Sequence, residues 1–238
     1  MRQWTELTEA VRGWPVEMAV VDPQWRTDGL EALERFRIMF PSLPVLIYTR
    51  LAPETAGPLL ALAGLGAQRA LFYGLDDDPE TLRSVLNHGW EQSVACQVLR
   101  AVTGLIQDVP SRLQQALDST LCASGPFPTV DALAERAQVR RRTCERWFAR
   151  RGLPSPRTVL ILGRLLQAHR LLLDPGYNVE DVALKLGFRR SKTMQMHFRE
   201  VFGMTAGEAR LGLTPAAALA NVASRYFAHP WTASQAAS

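Results

Sequence analysis

Along the first ninety residues, short apolar runs alternate with longer amphipathic stretches. The runs VEMAVVDP (16–23), LPVLIYTRL (43–51) and RALFYGL (69–75) are partly β-branched and bounded by turn residues, the pattern of buried strands. A helical period follows each of them, over 29–40, 53–65 and 78–87. Strand followed by helix, three times over, predicts a parallel sheet with crossover helices, so residues 1–87 read as an α/β unit. Residues 88–128 read as a helical linker closed by the turn GPFP at 125–128.

The second half is predicted to be all-helical over 129–211, and it repeats itself. Val130, Leu133, Ala134 and Ala137 mark one face of a helix, and the same spacing returns 49 residues later at Val179, Val182, Ala183 and Leu186. A short turn follows each copy, then a second helix with its own apolar stripe: Cys144, Trp147 and Phe148 in the first, Met194, Phe198, Val201 and Phe202 in the second. The stripes are 50 residues apart, so the second turn is one residue longer. Thr129 and Asn178 stand where N-caps belong, and Gly187 lies in the second turn. Helix, tight turn and helix, twice, predict a double helix-turn-helix. Between the copies, SPRTVLILGRLLQAHRLLLDPG is entered by Pro156 and stopped by Pro175-Gly176. Its length as a helix, roughly 26 Å, suits two reading heads on one face of DNA, where successive major grooves lie ~34 Å apart. Residues 212–238 are left as a C-terminal tail.

Charge sharpens this division. The net charge of +4 conceals 16 Lys and Arg against 8 Asp and Glu over 129–211, and 10 against 15 over 1–128. The basic half therefore fits a polyanion. With 47% hydrophobic and 21% charged residues the chain is globular in composition. Its start lacks a signal-peptide core, and Arg164 and Arg170 interrupt the most apolar later run, so a cytoplasmic protein without a membrane partner is expected. Three cysteines, far apart and in no CxxC spacing, signal neither a disulfide framework nor a metal site, and no cofactor is implied.

The polar faces supply candidate contacts. In the last helix of the second copy the apolar stripe turns Ser191, Lys192, Gln195, Met196 and Arg199 outward. Lys192 suits guanine O6/N7, Gln195 pairs with adenine, Met196 meets a thymine methyl, and Ser191 completes the base-facing set. Arg199, together with Arg189 and Arg190 in the preceding turn, suits phosphate. The first copy presents Arg142 and Arg146 for guanine and Glu145 for cytosine N4, with Arg141, Arg150 and Arg151 for phosphate. The bland alternative is a surface helix with Arg142 and Arg146 laced around Glu145.

On these residues the chain resembles the AraC/XylS family of bacterial transcription regulators. The likeness runs through DALAERAQVRRRTCERWFARRGLPSP, GRLLQAHRLLLDP and VEDVALKLGFRRSKTMQMHFREVFGMTAGEAR, with Arg164, Ala168, Gly187, Phe188, Phe198, Phe202, Gly203 and Arg210 in the family's pattern. The resemblance implies a two-headed module that reads adjacent major grooves of double-stranded DNA and, in many members, touches RNA polymerase. The chain departs from the pattern at Arg140 and Arg190, where reading helices usually begin with Ser or Asp, at Met196 in place of Arg, and at Ala206 in place of Pro.

Residues 16–87 resemble, more faintly, the later part of a response-regulator receiver, a flavodoxin-like fold. Asp22 ends the first strand where a phosphoacceptor would stand, and Thr49 ends the next. The expected Lys position holds Tyr73, and the strand that would carry the acidic metal-binding pair has no counterpart upstream, so Asp22 is expected to be vestigial. Such a unit would serve contacts, a homodimer above all. The alternative function is an adaptor with a degenerate receiver and only loose nucleic-acid binding. No activated thiol or metal cluster supports an enzyme.

Overall fold

The computed structural model describes residues 4–14, 16–22, 29–64, 67, 69–106, 109–122 and 127–227. The chain opens with α1 (Trp4–Gly13), a helix the sequence reading did not assign; Val11 is its fully buried residue, and Leu7 packs beside it on the core. Then β1 (Ala19–Val21), α2 (Gly29–Met39), β2 (Val45–Thr49), α3 (Pro53–Gly64), β3 (Arg69–Phe72) and α4 (Pro79–Glu91) follow in order. The three strands form one parallel sheet in the order β1-β2-β3, with Val20 opposite Leu46 and Ile47 opposite Ala70. Asp78 fixes the start of α4 by accepting from the amides of Glu80 and Thr81, with Pro79 in the first turn. Gly125 and Pro126 of the expected boundary turn, Asp28 and the chain beyond Phe227 lie outside the described residues.

The segment expected to be a linker is helical but does more than connect. Helices α5 (Val94–Gly104) and α6 (Ser111–Leu121) lie against α9 (Pro156–Leu172), and α6 packs on α7 (Val130–Arg136). One hydrophobic cluster runs from Val11 and Phe36 through Val98 and Leu117 to Leu165, Phe198 and Val222, crossing the expected domain boundary. The helix expected to be a rod between two heads is instead the spine of the molecule, for 13 of its 17 residues are buried. Ser155 caps it by accepting from the amide of Thr158, and Pro156 fills its first position. Gly163 lets α6 approach: a Cβ there would stand 2.7 Å from a Leu121 methyl. Polar groups on the spine are also engaged, with Arg164 donating to Gln167 (2.9 Å) and Gln167 to the Leu121 carbonyl (3.0 Å).

Further along the chain, α12 (Ala206–Gly212) begins in a capping box between Thr205 and Glu208. The first half of the expected tail is helix α13 (Pro215–Tyr226), which buries Ala218 and Val222 beside α9 and ties Arg225 to the Val201 carbonyl at 3.1 Å. No helix among the described residues is long and apolar enough to cross a membrane.

A polar seam joins the N-terminal unit to the turn after the spine. Ser42 donates its amide and its hydroxyl to Asp174, the hydroxyl at 2.6 Å. The Gly176 amide donates to the Met39 carbonyl (2.7 Å), and Arg12 donates to the Gly176 carbonyl (2.8 Å). The Phe40 ring meets Tyr177 edge-on at 4.9 Å. Desolvation pushes the Asp174 carboxyl up to about 6 despite the hydrogen bonds from Ser42.

Candidate nucleic-acid interface

Two helix pairs of one build carry the predicted contacts. The first joins α7 to α8 (Arg141–Arg150), and the second joins α10 (Val179–Lys185) to α11 (Ser191–Phe202). Both leading helices are seven residues long and capped as their sequences predict: Thr129 accepts from Ala132, and Asn178 and Asp181 form a reciprocal capping box. The turns differ by one residue, as the shift in spacing implies. Each contains a left-handed residue, Gly187 at φ 74° in the second and Gln138 at φ 54° in the first. Among the described residues Gln138 is the one non-glycine with positive φ.

The second helix of each pair has its apolar stripe where expected, with Trp147 half-buried at the edge of the first. Cys144 and Phe148 on α8, and Met194, Phe198, Val201 and Phe202 on α11, are buried. Arg142, Glu145, Arg146, Arg150 and Arg151 of the first pair are exposed, as are Arg189, Arg190, Lys192, Met196 and Arg199 of the second; Ser191 and Gln195 are half-buried at the flank. Neither Arg140 nor Arg190 supplies a side-chain cap, and Ser191 sits inside the helix, not at its cap. Arg141 is the partner of Glu145, at 2.9 Å one turn on, and it also reaches Asp131 on α7 at 3.1 Å. This is not the lacing by Arg142 and Arg146 of the alternative reading, and it leaves those two side chains for the outward face. The pairs are exposed and screened by solvent, so they contribute little to stability.

Burial separates the structural side chains from the reactive ones. Desolvation pushes the Cys144 thiol up to about 11 and Cys122 up to about 12, so both stay protonated packing groups. His169 is buried with its Nε2 against the Leu213 carbonyl at 2.9 Å, and burial lowers its pKa. No group of His, Cys, Asp or Glu among the described residues could hold a metal ion. In the N-terminal unit, Thr49 donates to the Asp22 carboxylate at 2.8 Å, bringing together the two strand-end residues singled out in the sequence, while Tyr73 lies exposed beyond β3.

Lys185 was missed by sequence reasoning. It is 4% exposed on α10 and donates to the carbonyls of Val16 (2.7 Å) and Trp14 (3.3 Å), which follow α1, with its ammonium over the Tyr177 ring. Desolvation pushes it down to about 8, partly offset by Glu17 and Asp174. Its spacing puts it on the buried face, three residues after Val182, but its type reads as a solvated cation.

With this geometry in hand, comparison identifies the class. Residues 133–212 match the family model described as a helix-turn-helix domain. The match supports an AraC-like DNA-binding domain over that stretch, the kind carried by transcription regulators. No curated protein and no solved structure matches the chain.

Proposed function

We propose that the chain is a sequence-specific transcription regulator in which both helix pairs act as helix-turn-helix reading units, placing α8 and α11 in adjacent major grooves of duplex DNA. One observation carries this reading: two outward faces, 50 residues apart in sequence, stay open on helices packed against one buried spine. The base-facing residues are Arg142, Glu145 and Arg146 on one helix and Ser191, Lys192, Gln195 and Met196 on the other. Arg150, Arg151, Arg189, Arg190 and Arg199 hold phosphates, and Arg141 does so while bridging Asp131 and Glu145.

The N-terminal unit is then a receiver-like contact module. Exposed Leu51, Tyr73 and Leu75 support self-association through it, and RNA polymerase is a further partner of the bound complex. Asp22 is a structural acceptor for Thr49, so acetyl phosphate with Mg²⁺ should leave the intact mass of the protein unchanged.

Selection of bound sites from random duplex DNA, followed by footprinting, tests the reading. Two protected major-groove segments about 10 base pairs apart are expected. Arg142→Ala should relax one base position in one segment and cost about 1–3 kcal/mol, Gln195→Ala should alter preference only in the other, and Arg150→Ala should weaken all sequences alike. Binding that does not discriminate the selected site from random duplex would support the adaptor reading instead.

A further inference from the structure

The repeat extends one helix further back than the helix pairs themselves. Beside the first turn, Arg112, Gln115 and Ala116 of α6 line a cleft of about 360 Å³ with Arg136 and Gln138. Beside the second turn, Arg157, Leu160 and Ile161 of α9 line a larger cleft of about 470 Å³ with Gly187 and Arg189, which the start of the first pair, residues 127–131 and Arg141, closes on its other side. The two sets share the spacing i, i+3, i+4 and lie 45 residues apart. In each case the left-handed residue of the turn forms one wall and an arginine from the first turn of the preceding helix stands at another.

We infer that Arg112 and Arg157 are equivalent phosphate clamps, each holding the DNA backbone beside the groove that its own head reads. Four observations converge. Both guanidinium side chains are exposed, and neither forms an ion pair among the described residues. The cations beside them, Arg136 in the first cleft and Arg189 and Arg141 in the second, point to an anionic occupant, and no carboxylate lines the first cleft. The one carboxylate in the second, Asp131, is already paired with Arg141. Finally, each cleft opens beside the start of a reading helix: Gln138 is two residues ahead of the Arg140 cap of α8, and Thr193 and His197 of α11 line the second cleft directly. A cationic cleft beside a groove-entering helix meets the phosphodiester backbone, the anion that a duplex presents at both places.

The inference rests on the two-headed reading and adds contacts to it. Arg112 lies outside the matched residues 133–212, so the DNA-binding unit starts at α6. The test uses the full chain with a selected duplex and a random duplex, titrated between 50 and 200 mM salt. Arg112→Ala and Arg157→Ala should each lower affinity for both duplexes by the same factor, roughly up to tenfold near 0.1 M salt. Each should also flatten the log–log salt dependence by about 0.9, while Arg112→Lys keeps the slope. Thermal melting of the variants without DNA checks that the fold is intact. An unchanged slope, or an altered base preference, overturns the clamp. So does a rise in melting temperature of the DNA-free protein with inorganic phosphate that Arg112→Ala abolishes, since that marks a small-anion site. If the wild type itself prefers neither duplex, the sequence-specific reading fails, while the change of slope still reports on the clamps.

Discussion

The two helix pairs share a scaffold and differ in what holds them. The second is over-determined: a capping box starts α10, glycine fills the left-handed turn position, Gly203 ends α11 at φ 72°, and buried Lys185 fastens α10 to the chain after α1. The first also ends its second helix at a left-handed glycine, Gly152 at φ 66°, but it has a single cap at Thr129, a glutamine at φ 54° in its turn, and exposed ion pairs for fastening. Their outward faces differ in the opposite sense. Arg142, Arg146 and Arg150 line one side of α8, whereas the same positions of α11 hold Lys192, Met196 and Glu200, the last turned to His197 at 2.9 Å. Local rigidity and surface charge are thus traded between the copies. Under the proposed two-headed reading, the better-anchored pair would serve base discrimination and the charged pair general affinity, because charge attracts any duplex while base reading needs a fixed frame.

Removing the fastening should break this comparison most strongly. Lys185→Ala leaves the Val16 carbonyl without its lysine donor, while the Trp14 carbonyl keeps the Val16 amide at 2.8 Å, and should cost about 1–3 kcal/mol by chemical denaturation. It should also loosen the second footprint segment more than the first. The Asp174–Ser42 contact on the same side gives a pH signature. The folded-state carboxyl is raised to about 6 by desolvation, so between the usual aspartate value and about 6 the native state holds a proton that the unfolded chain has lost. Wild type should therefore gain stability relative to Asp174→Asn as pH falls through that window, on the order of 2 kcal/mol, in paired melts at pH 7 and pH 4.

Exchanging the turn residues sharpens the contrast at smaller cost. Gly187→Gln imposes on the second turn the strain that the first carries, and should destabilise by about 1–2 kcal/mol. Gln138→Gly relieves that strain and should stabilise by about 0.5–1 kcal/mol. A loss at position 138 would show that the glutamine side chain makes a contact that outweighs its backbone.

Much of this was legible in the sequence because it follows from periodicity. The strands, both helix pairs, the one-residue difference between their turns and the caps at Thr129 and Asn178 are local signals, and all of them are present in the structure. What stayed hidden is tertiary. The amphipathic pattern of 94–121 shows that it is helical, but not that its apolar face completes the spine; helicity is set within a turn, whereas the partner is set by the fold. Lys185 reads as a surface cation, since a lysine ammonium is almost always in water unless a distant backbone offers carbonyls. The ion pairing of Arg141 depends on Asp131 from another helix, which spacing within α8 does not reveal.

The fastening of Lys185 has one further consequence, for how this chain can change over generations. Its acceptors are main-chain oxygens, which every residue type possesses, so Trp14 and Val16 can be replaced freely without touching the contact. Position 185 has no such freedom, because few side chains carry a donor across that distance. The junction is therefore asymmetric in its tolerance: one side drifts unseen while the other stands still, and paired substitutions across it would leave no trace by which a comparison of descendants could find it.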